Sequence, residues 1–208
     1  MNLYFEKTIN ARKVCVVAKH LDAPVTFVHV NLGKGENGKP AFLALNPNGK
    51  VPVLEFDDGR TLWESNAIMA YLAREAGSEL FPTDERQIEL IRWLSWGAEH
   101  FHRHTSRIYF ENLVKPMLGI GEPNQAIVTE ANGFVRKFGA VLNDHLAGRR
   151  FLLGDTLTIA DFAVGSALPY AEAARIPLEG FARIAHWADR LNALPAWRDP
   201  FPATQAAA

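Results

Sequence analysis

A proline stands at the start of a short apolar strand in this 208-residue chain, in the run Val51-Pro52-Val53-Leu54. Proline has no backbone N–H, so it is confined to the beginning or the edge of a strand. An X-Pro bond at this place is a candidate for the cis form, which makes a tight corner in the chain. Such a corner would leave the backbone N–H and C=O of Val51 free to pair with an extended ligand.

A predicted hairpin and the start of a helix follow this corner. Asp57-Asp58-Gly59 is typical of a turn between two strands, residues 53–56 and 60–63. Glu64-Ser65 falls where the second strand passes into a helix, which we predict from Ser65 to Glu75. The first amides of a helix attract carboxylates, because they are unpaired and lie at the positive end of the helix dipole. We therefore predict a pocket for a small, extended, anionic peptide.

The first third of the chain has the pattern of a compact α/β domain, residues 1–76. Apolar spacing predicts a helix from Arg12 to Leu21, between β-rich segments at residues 3–5 and 25–30. This β-α-β order predicts a parallel strand pair. A Gly-rich loop at residues 33–40 and a short helix at residues 41–45 complete the domain.

The rest of the chain has helical periodicity. Gly, Pro and polar residues mark a linker at residues 77–85, and an all-α domain is expected over residues 86–200. The predicted long helices are Glu85–Phe110, Ala126–Leu146, Thr158–Leu168 and Ile184–Leu194. Residues 201–208 are expected to form a loose tail.

Within the third of these helices, Thr158 and Asp161 match a capping box. In this arrangement the side chains of the first residue and of the residue three positions later each accept a backbone N–H. The motif satisfies the unpaired amides of a helix start that we expect to be buried. We interpret it as structural, not catalytic.

Composition excludes several classes of function. The chain has 22 Lys and Arg against 23 Asp and Glu, and no long basic run, which disfavours nucleic acid as a partner. The single cysteine, Cys15, allows no intrachain disulfide and suits the cytoplasm. No segment approaches the roughly 20 apolar residues of a membrane span, and the N-terminus lacks the layout of a signal peptide. We expect a protein with no membrane partner.

The order of these elements, with Val51-Pro52 and Glu64-Ser65 at this spacing, resembles the glutathione S-transferase family. The resemblance extends from Leu3-Tyr4 to about Trp197 and is to cytosolic, bacterial-type members. It implies a thioredoxin-like α/β N-terminal domain and an all-α C-terminal domain. It also implies a detoxifying enzyme that uses glutathione as co-substrate and activates its thiolate to attack a small electrophile.

The resemblance implies a hydroxyl or amide donor to the glutathione sulfur just after the first strand. Thr8 stands where many members have serine, and Asn10 is a second donor. Ile9 replaces the proline of a bacterial class with disulfide reductase activity that has Thr-Pro-Asn here. Thr8 and Asn10 could instead simply cap the helix. Tyr4 and Cys15 are weaker candidates, because Tyr4 lies inside a strand and Cys15 inside the helix.

The resemblance also implies which residues bind the tripeptide. Val51, which precedes Pro52, would pair through its backbone with the cysteinyl part, and Glu64 and Ser65 would hold the γ-glutamyl ammonium and carboxylate. Lys50 is a candidate for the glycyl carboxylate, although a solvated turn charge explains it equally well. Lys39 is a weaker candidate.

The second-substrate pocket is expected on the first long helix. Its implied wall contains Trp96, His100, Arg103 and Arg107, although a tryptophan at such a position more often belongs to the core. His100, His102 and His104 also raise the possibility of a metal site. Only His100 and His104 share a helix face, and a zinc site needs a third ligand, so we predict no metal.

Three further possibilities remain open at this stage. The enzyme could act as a peroxidase or disulfide reductase. It could be a glutathione-dependent isomerase or dehalogenase. The chain could also be a non-enzymatic interaction module, since the same fold occurs in domains of translation proteins and in a bacterial stringent-response regulator. The family further implies a homodimer.

Overall fold

A computed structural model describes residues 1–202 of the chain. The chain forms two compact units. The first contains Met1–Ser78 together with residues 194–202, and the second contains Glu79–Ala193. The units differ from the predicted ranges at the C-terminal end, because the last helical turn belongs with the first unit.

The first unit is built on a four-stranded sheet. Its strands are β1 (Asn2–Phe5), β2 (Thr26–His29), β3 (Val53–Glu55) and β4 (Thr61–Trp63). Their order in the sheet is β2-β1-β3-β4. β1 pairs with β2 in parallel, as the sequence predicted, whereas β3 is antiparallel to both β1 and β4.

The helices lie close to the predicted positions. They are α1 (Ile9–His20), α2 (Pro40–Leu45), α3 (Ser65–Glu75), α4 (Arg86–Trp96), α5 (His102–Tyr109), α6 (Lys115–Leu118), α7 (Gln125–His145), α8 (Ile159–Gly165), α9 (Ala182–Asn192) and α10 (Pro195–Arg198). Single 3-10 turns at Leu32–Lys34 and Glu36–Gly38 occupy the predicted Gly-rich loop, and another lies at Leu168–Tyr170. No helix within residues 1–202 is long and apolar enough to cross a membrane.

The first long helix differs from its prediction. α4, α5 and α6 join through π-helical turns at Gly97–Phe101 and Phe110–Val114 into one helical run, which reaches Leu118 and so extends beyond the predicted end at Phe110. Gly97 permits close packing in the first of these turns. A Cβ placed on it would lie 2.7 Å from Cγ2 of Val164 in α8. π-helical turns often occur at functional sites, and here one marks a close helix crossing.

The C-terminal segment packs against α1. The guanidinium of Arg12 lies 4.1 Å from the ring centroid of Trp197 in α10 and donates to its backbone carbonyl. Lys19 donates to the Asp199 carboxylate at 3.0 Å and to the Phe201 carbonyl at 3.2 Å. The Phe201 ring stacks on Phe5. The prediction of a loose tail is therefore wrong at Phe201, and residues 203–208 lie outside the described residues.

The predicted capping box is present in the second unit. The Asp161 carboxylate accepts the Thr158 N–H at 2.9 Å and the Thr158 hydroxyl at 3.1 Å. Its other oxygen accepts the backbone N–H of Leu152 at 2.9 Å and the indole N–H of Trp187 at 3.0 Å. Burial raises the pKa of Asp161 to about 6, against the opposing effect of these donors. One buried carboxylate thus ties a helix start, a loop and α9 together.

Replacing Thr158 with alanine should destabilise this junction. The variant loses a helix cap and a donor to a buried carboxylate, so we expect the free energy of unfolding to fall by about 1–2 kcal/mol. Urea unfolding followed by circular dichroism measures the change. Thr158→Ser keeps the hydroxyl and should remain near wild type. Equal loss in both variants would show that the methyl group, rather than the cap, supports the helix.

Candidate functional site

The sheet register gathers the predicted binding residues at one edge. Tyr4 pairs with Val53, and Val53 pairs with Trp63. The carboxyl ends of β1 and β4 therefore meet the amino end of β3. Thr8 follows β1, Pro52 immediately precedes β3, and Glu64 immediately follows β4. This register explains why the three predicted binding segments, which are separate in the sequence, are neighbours in the structure.

The corner before β3 has the predicted form. The Val51-Pro52 bond is cis, and within residues 1–202 neither the N–H nor the C=O of Val51 makes a hydrogen bond. The buried Asn46 shapes the loop that leads to this corner. Its amide donates to the Lys50 carbonyl at 2.7 Å and accepts the Asn48 N–H at 3.0 Å. The corner thus offers one backbone donor and one acceptor to an extended ligand.

Glu64 has an unusual backbone conformation at the start of α3. Its φ is 70° and its ψ is 110°, a region that residues other than glycine rarely adopt. Its side chain does not cap the helix. Strained residues of this kind occur most often at binding and catalytic sites. The half-buried Ser65 follows it, so a hydroxyl and the first amides of α3 are available to a carboxylate.

Thr8 caps α1, as its residue type suggested. Its hydroxyl oxygen accepts the Ala11 N–H at 3.3 Å, and its backbone is extended. A hydroxyl that accepts this bond still has its own proton to donate. Capping and donation to a sulfur are therefore compatible roles. Asn10 lies in the first turn of α1 and is exposed.

Lys13 also belongs to this region, although no sequence pattern indicated it. It is 4% exposed, and its ammonium donates to the Asn66 side-chain oxygen at 2.9 Å. Burial lowers the pKa of Lys13 to about 8, and the Glu64 carboxylate partly opposes that effect. A cation thus lies between the start of α1 and the start of α3. Its burial could be found only from the structure.

The two lysines predicted for the glycyl carboxylate have less defined positions. Lys50 is exposed, and its backbone carbonyl holds the corner loop through Asn46. Lys39 is exposed directly before α2. Both roles stay predictions.

The arrangement can bind an anion and stabilise a thiolate. Two helix N-termini, a buried ammonium and a hydroxyl lie at one edge of the sheet, and each favours negative charge nearby. Glu64 supplies a carboxylate for a ligand ammonium. A short peptide with both charges and a thiol matches this set of groups.

Comparison with known proteins identifies the family. The glutathione S-transferase N-terminal domain matches residues 9–75, and the glutathione S-transferase C-terminal domain matches residues 125–206. Glutathione S-transferase 3 of Zea mays is 34% identical over 196 residues, which cover 91% of this chain and 87% of that protein. The chain belongs to the glutathione S-transferase family. The family, enzyme class and fold class predicted from the sequence are confirmed.

Two further similarities bear on the function of this glutathione S-transferase. A structure of glutathione S-transferase-I bound with lactoylglutathione superposes with a TM-score of 0.85 at 26% identity, covering 96% of this chain and 97% of that one. Elongation factor 1-gamma of Carassius auratus is 33% identical over 168 residues. This alignment covers 80% of the chain but 32% of the elongation factor.

The alternative sulfur ligands of the transferase have other roles. The Tyr4 hydroxyl donates to the Glu55 carboxylate at 2.8 Å, and its ring packs edge-on against Phe42. Cys15 is fully buried in α1, and burial raises the pKa of its thiol to about 12. A thiol with that pKa forms no useful amount of thiolate at neutral pH. These surroundings argue against either residue as a sulfur ligand.

The residues predicted for the second-substrate pocket all lie in the second unit. Trp96 and His100 contact the Phe138 ring of α7 at centroid distances of 6.2 and 4.7 Å. Arg103 pairs with Glu99 at 2.5 Å, and Arg107 pairs with Glu130 at 3.0 Å. Of the four, Trp96 lines a cavity of about 170 Å³, together with Arg92, Trp93, Val141 and His145. Their role toward a second substrate stays a prediction.

The three neighbouring histidines have separate surroundings. The His104 ring stacks on Phe134 at a centroid distance of 4.3 Å. His100 and His104 both contact the Phe138 ring. His102 instead hydrogen-bonds through Nδ1 to the Ser166 hydroxyl at 2.9 Å. Among residues 1–202, no group of three or more His, Cys, Asp or Glu is arranged to hold a metal ion.

Proposed function

We propose that this glutathione S-transferase binds glutathione at the edge of its sheet and activates the thiol with the Thr8 hydroxyl. The observation that carries the proposal is the register that brings Thr8, Val51 and Glu64-Ser65 to one edge. The order of these groups matches the order of groups in the tripeptide. The γ-glutamyl end would lie at α3, the cysteinyl part at Val51 and the sulfur at the start of α1.

In the proposed reaction, the Thr8 hydroxyl donates a hydrogen bond to the glutathione sulfur, and the thiol proton leaves to solvent. The thiolate then attacks an electrophilic carbon, forming a carbon–sulfur bond as the leaving group departs. Asn10 is a second candidate donor. The positive end of α1 adds to the stabilisation of negative charge at the sulfur.

The required change in acidity is modest. A free thiol of pKa about 8.5 is about 3% ionised at pH 7. Lowering that pKa to about 6.5 needs about 2.7 kcal/mol of preferential stabilisation of the thiolate and raises its fraction more than twentyfold. One hydroxyl donor with a helix N-terminus is of the right magnitude, since hydrogen bonds to charged groups contribute about 1.5–3 kcal/mol.

Reduction of peroxides or disulfides is a second use of the same thiolate. Two glutathiones would supply the electrons, one as the attacking thiolate and one to release oxidised glutathione. The buried Cys15 supports a route through glutathione alone, because a protein mixed disulfide would need an accessible thiolate. Isomerase and dehalogenase reactions would use the same glutathione-binding domain and differ in the second substrate.

A non-enzymatic interaction module is the alternative favoured by the similarity to elongation factor 1-gamma. A module that only contacts protein partners needs no strained residue at a helix start and no buried cation beside it. The presence of Glu64 at positive φ and of Lys13 behind it supports the enzyme. Failure to bind glutathione would favour the module.

We also propose a cytoplasmic homodimer. Ile88 and Ile91 on α4 are 73% and 48% exposed, which is unusual for neighbouring large apolar side chains on one helix. A second copy of the chain is the partner that the family implies. The reduced, buried Cys15 suits the cytoplasm.

The pKa of bound glutathione tests the role of Thr8. The ultraviolet absorbance of the thiolate, followed across pH, should give a bound pKa of about 6.5 in the wild type and a value raised toward about 8.5, that of a free thiol, in Thr8→Ala. We expect kcat/KM with a chlorinated aromatic to fall about 100-fold in that variant. Thr8→Ser retains the hydroxyl and should resemble the wild type.

Two results of this titration would contradict the assignment. An unchanged bound pKa in Thr8→Ala, with a raised value in Asn10→Ala, would assign the sulfur donor to Asn10. Binding without any change in the thiol pKa would mean that the protein holds glutathione without activating it. Thermal unfolding of each variant separates these effects from loss of the α1 cap.

Removing both groups at the start of α3 should abolish binding of the tripeptide. We expect Glu64→Ala with Ser65→Ala to weaken glutathione at least about 100-fold by calorimetry, since it removes both a charged and a neutral hydrogen-bonding group. Glu75→Ala removes an exposed carboxylate at the opposite end of α3 and should bind normally. Retained affinity in the double variant would rule out this γ-glutamyl site.

The oligomeric state should be visible by sedimentation. At micromolar concentration we expect twice the chain mass of 23.1 kDa, because pairing would cover the exposed isoleucines of α4. A single species at the mass of one chain would refute the homodimer. Adding glutathione should leave the sedimenting mass unchanged.

A further inference from the structure

Lys13 has surroundings that disfavour its charge. It is 4% exposed and lies in a run of α1 that is buried from Ala11 to Ala18. Burying an ammonium costs several kcal/mol unless other groups compensate, and an apolar side chain would fill the same space more favourably. With its pKa lowered by burial to about 8, the group is still mostly protonated at pH 7. Perturbed, buried charges of this kind occur most often at functional sites.

The contacts of Lys13 all point to the start of α3. Within residues 1–202, its one hydrogen-bond partner is the Asn66 side-chain oxygen, at 2.9 Å. An ammonium has three N–H groups, so this bond uses one of them. Glu64 is near enough to oppose the effect of burial on its pKa, but it does not form an ion pair with Lys13. The two residues that Lys13 influences lie on either side of Ser65.

We infer that Lys13 is a positioning residue for the γ-glutamyl end of glutathione: its ammonium holds Asn66 in the first turn of α3 and balances the charge of Glu64. This inference rests on the proposed function and adds to it a residue that acts through others. Lys13 itself need not touch the ligand.

The charges explain why the site needs a cation. The γ-glutamyl end carries one ammonium and one carboxylate. Glu64 alone would attract the ammonium but repel the carboxylate. With Lys13 behind it, the site contains one negative and one positive charge. A site of that composition complements a zwitterion, and the positive end of α3 adds to its attraction for the carboxylate.

Three substitutions separate the parts of this role. Lys13→Arg keeps the charge and the donor, Lys13→Gln keeps a donor without the charge, and Lys13→Met keeps only the length. Lys19→Met removes another α1 lysine, one that contacts Asp199, and serves as the control. Each protein is titrated calorimetrically with glutathione and with its γ-glutamyl α-carboxamide analogue, which lacks the negative charge at that end.

We expect Lys13→Met and Lys13→Gln to weaken glutathione about 10- to 100-fold, as for loss of an interaction with a charged group. Lys13→Arg should recover most of the affinity, and kcat at saturating glutathione should change by less than about threefold because the sulfur site is intact. Replacing the carboxylate by the amide should weaken binding to the wild type but have little further effect in Lys13→Met. A purely structural role would weaken both ligands equally.

The outcomes distinguish this inference from the proposed function. If wild-type protein binds no glutathione, the proposed function fails. If the wild type binds and activates glutathione while Lys13→Met binds both ligands as the wild type does, only the inference is overturned. Equal weakening of both ligands by Lys13→Met also overturns it, since the effect would then be independent of the carboxylate. Thermal unfolding confirms that each variant is folded before it is titrated.

Discussion

The pairing of β3 with both β1 and β4 is the constraint on which the candidate site depends. β3 has three residues, yet through Val53 it fixes the register of Tyr4 on one side and Trp63 on the other. A slip of one residue would turn the side chains of β3 to the opposite faces and disrupt the packing of Val53 and Leu54, which are fully buried on opposite faces of the sheet. It would also move Val51 relative to Thr8 and Ser65. The apolar packing that holds the register therefore also holds the binding groups in place.

Local signals made part of this arrangement predictable. The Val51-Pro52 corner, the hairpin after it and the start of α3 at Ser65 depend on residues adjacent in the sequence, and the structure has them as predicted. The capping box at Thr158 was predictable for the same reason. Proline, turn residues and helix caps act through the backbone nearest to them, so a single sequence is enough to find them.

Contacts between distant segments were not predictable. The sequence near Trp197 does not indicate that Arg12, a residue 185 positions away, donates to the Trp197 carbonyl and packs on its ring. Periodicity predicted only that Lys13 lies within a helix. A lysine that is buried against a polar partner cannot be distinguished in the sequence from a lysine on the surface. Asn46 is similar, because a buried asparagine that holds a loop has the same residue type as an exposed turn residue. The ion pair of Arg107 with Glu130 in α7 is another such contact, whereas the pair of Arg103 with Glu99 follows from helical spacing.

The buried polar side chains of the first unit have a common role, which is to hold another segment in place through hydrogen bonds. Arg12 holds α10, Lys13 holds the first turn of α3, and Asn46 holds the loop before Val51. The last two of these segments lie at the edge of the sheet that carries the candidate site. Burying such groups is less favourable than burying apolar ones, but their hydrogen bonds are directional and allow fewer alternative arrangements. Apolar contacts alone could stabilise α1 against the sheet without fixing the start of α3 to within hydrogen-bond tolerance. A site that must align two helix N-termini with one strand corner needs that directionality, which accounts for a charged residue in the buried part of α1.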